Sequence, residues 1–310
     1  MRTKIKNLTA ALLLCAGLSI AAISVSAQLR TLTVVTEPNA LVWIDDVNYG
    51  KTDESGKLQL RTFPAGTHKI RVRADGFKET AQTLLASQKG EIKIALVKTT
   101  DAAELAFQQA EAMAAIDREK AVALYQKAVK LRPRYAEAFL GLARVYAGLS
   151  DFDAALKAVQ SARRARPGYA EASAVEGRIY KDEGDEEKAI TAFMRAITEG
   201  KGVQPEAHTG LGLLYKEKAE GFGAEGDFDS EKEYYLLAAA ELRKAVAQLA
   251  GSPDAVTIYQ FLGGSYEKAK MYREAIKVYE EYIKNFSDAE DVVTFRSFIV
   301  QLEKRIKDEQ

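Results

Sequence analysis

Four patterns of apolar and polar residues follow one another along the chain. After Arg2, Lys4 and Lys6, residues 8 to 25 are apolar except for Thr9, Ser19 and Ser24. Residues 30 to 98 then alternate as half-buried strands do. In "HKIRVR", His68, Ile70 and Val72 fall on one face and Lys69, Arg71 and Arg73 on the other. From Asp101 the period becomes helical, and Ala121, Ala155 and Ala189 recur every 34 residues, as do Ala128, Ala162 and Ala196. Last, Val292, Phe295, Ile299, Leu302 and Ile306 repeat at spacings of 3 and 4, which predicts one amphipathic helix. These patterns predict a leader over 1–27, a β domain over 30–98, a helical array over 102–287 and a closing helix over 288–310.

The first pattern reads as a secretory signal. A basic start and an apolar run lead to the small residues Val25-Ser26-Ala27, so cleavage is expected after Ala27. The alternative is an uncleaved membrane anchor, because the run is long for a signal core and slightly short for a span. Either outcome implies export, to a bacterial periplasm or cell envelope. The charge supports no nucleic-acid partner: Lys+Arg 44 balances Asp+Glu 44, and removal of three leader cations (44 − 3 = 41) leaves the remainder near −3. Cys15 is the sole cysteine and lies within the leader, after Leu14 rather than the small residue a lipidation site needs. The exported chain would therefore be held by packing, with no disulfide, cysteine zinc site or catalytic thiol.

The β region carries "LTVVT", "LVWID", "DESGKLQL", "FPAGTHKIRVRADGF" and "EIKIALV", separated by Gly-, Pro- and Asp-containing breaks. About five to seven short strands at this spacing predict a small β-sandwich. Pro38-Asn39-Ala40, Val42 to Asp45, Gly50 to Thr52, Pro64 to Val72 and Ala74 to Phe77 together resemble the PEGA family. The turn at Thr52 to Gly56 is similar to that of carboxypeptidase-regulatory-like sandwiches. Either resemblance implies an accessory domain of an exported protein, with no catalytic residues to transfer. Trp43 is expected to pack within its strand.

In the helical region, small residues at two inner positions of a 34-residue period predict stacked hairpins, since alanine permits close helix approach. Pro133 and Pro167 end units because proline cannot continue a helix. The array resembles the tetratricopeptide-repeat family. Its marks are Leu142, Ala143, Tyr146, Ala155 and Ala162; then Gly177, Tyr180, Ala189, Phe193 and Ala196. They continue as Leu211, Gly212, Tyr215, Ala238 and Ala245, and as Leu262, Gly263, Tyr266, Ala275 and Tyr279. With a degenerate first unit from Ala102 to Pro133, this makes five repeats. "EKAEGFGAEGDFDSEK", about 217–232, lengthens the fourth, as a projecting loop or as a helix-extending connector. The resemblance implies a right-handed superhelix whose first helices line a concave face. The fold class expected is therefore multidomain, a small all-β sandwich followed by an all-α solenoid.

Few residues suggest chemistry. Asp151, Asp185 and Asp227 stand before second helices, where a carboxylate accepts free backbone N–H groups, and they lack calcium-loop spacing. His68 and His208 fall in different domains and read as packing residues. Neither a phosphate loop nor a nucleophile motif occurs, so the chain is read as non-catalytic and without a cofactor. On the concave face, Arg144 and Arg178 share one repeat position, and Lys181 and Lys216 share a nearby one. Such a track fits protein or peptide partners with acidic or C-terminal carboxylate segments. The family's carboxylate clamp has Asn where Arg144 and Arg178 stand, and Glu137, Glu171 and Glu206 neutralise the track if they pair with it. The reading is an exported scaffold or adaptor. The alternative is an envelope protein whose sandwich binds polysaccharide or peptidoglycan while the repeats recruit an enzyme. Trp43 and Tyr49 exposed on one sheet face would favour that alternative.

Overall fold

Short alternating runs build the first domain. The computed structural model describes residues 30–63, 66–249 and 251–309, so the leader lies outside the described residues. Strands β1 (Arg30–Val35), β4 (Lys57–Phe63) and β8 (Gly90–Lys93) form one sheet in the order β4-β1-β8, with β1 and β8 parallel. Strands β2 (Leu41–Ile44), β3 (Val47–Lys51), β5 (His68–Arg73) and β7 (Thr80–Leu84) form the antiparallel second sheet, ordered β3-β2-β5-β7. A ribbon of β6 (Phe77–Lys78) and β9 (Val97–Lys98) leads out of the sandwich. Val34, Val42, Ile44, Ile70, Val72 and Leu84 fill the core, as alternation requires.

The sequence motifs of this domain are its turns. Asp45 and Asp46 both take positive φ in the two-residue β2–β3 turn, a conformation aspartate tolerates. The Asp45 carboxylate accepts the Lys69 N–H at 2.8 Å and meets His68 Nδ1 at 2.5 Å, so the largely buried His68 side chain fastens this turn to β5. Thr52 receives the Ala40 N–H at 2.8 Å and donates to the Glu37 carbonyl at 2.7 Å, which holds the tight Pro38-Asn39-Ala40 turn. Gly56 cannot carry a Cβ, because one would lie 2.1 Å from the Thr36 carbonyl oxygen.

Eleven helices follow among the described residues, ten of them as antiparallel pairs: α1 (Ala102–Met113) with α2 (Arg118–Leu131), α3 (Ala136–Gly148) with α4 (Phe152–Ala165), α5 (Ala170–Glu183) with α6 (Glu186–Glu199), α7 (Pro205–Glu225) with α8 (Phe228–Leu249), and α9 (Ala255–Lys268) with α10 (Tyr272–Asn285). The amphipathic α11 (Val292–Asp308) covers α10 with Val292, Phe295 and Leu302. The six periodic alanines from Ala121 to Ala196 are fully buried. Asp151, Asp185 and Asp227 accept the N–H groups of Ala154, Lys188 and Ser230, each at 3.1 Å, and so cap their helices. The 217–232 segment is not a projecting loop. It lengthens α7 and α8, and Tyr215, Phe222 and Tyr234 pack together across the extended hairpin.

One departure decides where the site lies. Alternation puts Arg73 on the sheet's solvent face, yet it is only 8 % exposed. The helical array covers that face. Gln108 of α1 accepts the Gly76 N–H and donates to the Phe77 carbonyl, both at 2.8 Å. Arg73 pairs with Glu111 at 3.1 Å and lies over the Phe107 ring at 4.8 Å. At the other end of the array, Ser252 in the turn before α9 donates to the Asn48 carbonyl at 2.5 Å, and Gly50 lies against Pro253. The sandwich thus spans the concave side of the superhelix and touches it at both ends.

Candidate partner-binding chamber

The space between the β2–β5 sheet face and the first helices is a chamber of about 1210 Å³, partly open to solvent. Its sheet wall carries Leu41, Trp43, Lys69, Arg71 and Arg73. Trp43 is not packed in the sandwich core: it faces outward, with Arg71 at 4.4 Å and Arg73 at 5.0 Å from its ring. Tyr49 is buried, so the two aromatics form no exposed patch.

The helical wall contains three of the four cations expected on the concave face, Arg144 of α3 with Arg178 and Lys181 of α5; Lys216 lies outside it. Arg144 and Arg178 converge on Glu206 in the first turn of α7, at 3.1 and 3.4 Å. That carboxylate stands near the positive end of the helix dipole. Lys181 pairs with Glu217 at 2.6 Å, and Lys216 with Glu220 at 2.5 Å. The Arg144 side chain is 41 % exposed and lines the chamber. Burial, which would lower its pKa, is outweighed by Glu206 and Glu171, and the net direction is upward. Glu171 sits within this cluster, donated to by the Tyr169 hydroxyl at 3.1 Å. Burial pushes its carboxyl above the usual range against the opposing pull of Arg144.

The other repeated arginines belong to the scaffold. Arg132 and Arg166 lie over Tyr135 and Tyr169, each at 4.3 Å, and each reaches an acid of the hairpin before it. Arg132 pairs with Asp101 at 2.7 Å and Arg166 pairs with Glu137. His208 is buried against Glu241 at 2.7 Å, between α7 and α8. Sequence reasoning missed the sheet wall and the two contacts made by Gln108 and Ser252. Neither residue repeats with the array, so no periodic signal marks them. Among the described residues no helix is long and apolar enough to cross a membrane.

Comparison with known proteins gives matching assignments. Three Tetratricopeptide repeat families match residues 112–179, 170–199 and 262–289, and the PEGA domain family matches residues 29–100. No curated protein matches significantly. Similar solved structures include yeast Tom70, at 17 % identity and a TM-score of 0.52, over 67 % of this chain and 41 % of that one. A thermophilic tetratricopeptide-repeat protein of Thermus thermophilus is 20 % identical with a TM-score of 0.46, over 64 % of this chain and all of its own. PilW, a type IV pilus biogenesis factor, is 16 % identical with a TM-score of 0.47, over 68 % of this chain and 94 % of its own. At these identities the likeness concerns the fold alone. With the sandwich and the 34-residue hairpins, the family matches establish that the chain is a tetratricopeptide-repeat protein with an N-terminal PEGA domain.

Proposed function

We propose that this protein is an exported, non-catalytic scaffold of the cell envelope that holds protein partners in its concave chamber through their acidic or C-terminal carboxylate segments. The observation that carries this reading is the shared use of Glu206. Two guanidinium groups, Arg144 and Arg178, divide one carboxylate, while burial pushes Glu171 toward its neutral form. Each guanidinium spends only part of its donor set on Glu206 and retains N–H groups for a further carboxylate. Export is supported by the leader pattern of residues 1–27. A non-catalytic role is supported by the tetratricopeptide repeats, a fold that typically serves as a protein-interaction scaffold. With Tyr49 buried and Trp43 facing the chamber, no exposed aromatic face favours polysaccharide binding.

Three or four charge-assisted contacts of about 1.5–3 kcal/mol each, less the ordering of an extended segment, correspond to an affinity of about micromolar. The test is fluorescence-anisotropy titration of a labelled Asp/Glu-rich hexapeptide with a free C-terminal carboxylate. Binding should weaken with salt and be lost in Arg144→Glu/Arg178→Glu. Equal binding by that double variant, or none by the parent, would refute the reading. Cell fractionation checks export separately: full-length, uncleaved chain in the cytosol would contradict it.

A further inference from the structure

The chamber's lid is part of the same chain, and its two anchorages are unlike. At α1 the sandwich is held next to its own covalent link. Gln108, 5 % exposed, makes two hydrogen bonds, the Arg73–Glu111 pair adds a third contact, and only residues 99–101 separate β9 from α1. This end is fixed. At the far end no covalent link exists. The β2–β3 hairpin meets the turn before α9 through the side-chain hydrogen bond from Ser252 to the Asn48 carbonyl, with Gly50 against Pro253. Around that bond Val47 and Tyr49 belong to the same apolar cluster as Leu249, Ala255 and Ile258. The solenoid between the two anchorages is a stack of hairpins that mainly touch their neighbours, an architecture able to flex along its length.

We propose that the PEGA domain is a fixed lid over the concave groove, and that the Ser252–Asn48 contact is the latch that controls entry to it. Flexing of the superhelix carries the α8–α10 end away from the β2–β3 hairpin while the α1 anchorage stays closed. A partner too large for the gaps around the chamber enters only in that open state, so latch strength sets the apparent affinity of the groove. The inference deepens the proposed use of the chamber and rests on that reading for its biological meaning. Opening itself is measurable without any partner.

Leu213 of α7 supplies the probe position, since it lines the chamber and is only part-buried. A Leu213→Cys variant of the chain from residue 28 onward, which lacks Cys15, carries one thiol on the chamber wall. Its labelling is followed with N-ethylmaleimide and with a maleimide on a polyethylene glycol chain too large for the closed chamber. Adding Ser252→Ala should raise the large reagent's rate about fivefold, the equivalent of about 1 kcal/mol for one hydrogen bond. The small reagent's rate should stay unchanged. Circular dichroism checks folding, and Ser252→Gly serves as the second latch variant should alanine perturb the turn.

Equal large-reagent rates with and without the Ser252 hydroxyl would overturn the latch. So would labelling of the parent thiol by the large reagent as fast as that of a thiol placed at exposed Ser297. If the acidic peptide fails to bind while labelling still depends on Ser252, the partner chemistry is wrong and the latch stands.

Discussion

A methyl group added at Gly263 and one added at Gly264 enter different surroundings, although the two residues are neighbours in α9. At Gly263 the new Cβ would lie 2.1 Å from Cε1 of Tyr279, 2.4 Å from its Cζ and 2.6 Å from its hydroxyl oxygen. That ring has nowhere to retreat. It is 2 % exposed, packs against Phe295 at 5.3 Å and Phe298 at 5.5 Å, and donates its hydroxyl to Glu267 at 2.5 Å. At Gly264 no atom lies within 4 Å of the new Cβ. Both substitutions gain about 1 kcal/mol from helix propensity. Only Gly263→Ala meets overpacking, which costs about 1–3 kcal/mol. Gly264→Ala should therefore stabilise by about 1 kcal/mol, and Gly263→Ala should destabilise by up to about 2 kcal/mol. Propensity cancels between the two variants, so their difference isolates the contact. Guanidinium unfolding measures each variant, and hydrogen exchange of α9 to α11 localises the effect, since repeat arrays need not unfold in two states. Tyr279→Leu should relieve Gly263→Ala, making the double variant more stable than the sum of the single losses. Gly263→Ala as stable as Gly264→Ala would refute the close-approach account of this repeat position.

Three further outcomes follow from local contacts. Gln108→Ala leaves the Gly76 N–H and Phe77 carbonyl without their partner; a loss of about 1–3 kcal/mol should appear in denaturant curves followed by Trp43, the only tryptophan. Asp151→Ala removes the acceptor of the Ala154 N–H and should cost about 1 kcal/mol, read from thermal melts at fixed pH. Glu171 has a folded pKa raised by burial, so the native state holds its proton longer than the unfolded chain. Its stability contribution is full below the ordinary glutamate pKa and is lost as pH rises through the raised value. Wild type should therefore lose stability relative to Glu171→Gln over that window; a constant difference across pH would count against the buried carboxyl.

The array was legible because its physics is periodic: Ala121, Ala155 and Ala189 must be small wherever two helices approach, and the 34-residue period displays that need. The β domain was legible through its turns, where Thr52 and Gly56 perform backbone tasks that few other residues manage. The 217–232 segment was open between loop and helix because its glycines weaken helix propensity. Packing of Tyr215, Phe222 and Tyr234 decides for helix, and that is a tertiary contact. Pairing of Arg144 and Arg178 with Glu206 was among the alternatives, since all three fall on one face. The enclosure of the groove was not. Asn48 meets Ser252 through a backbone carbonyl, and a carbonyl leaves no signature in residue type.

That contact joins positions 204 residues apart, whereas the helical array is built mainly from pairings within a hairpin and between neighbouring hairpins. A linear stack of hairpins can fray from either end, one unit at a time. Here the last hairpin and the N-terminal sandwich are mechanically in series, so loss of any hairpin between them shifts Ser252 out of reach. The closure can therefore form only after every intervening unit is in place, which makes it late in folding and dependent on the number of repeats. Deletion of a single 34-residue unit would leave each remaining hairpin intact in sequence and still unlock the ring.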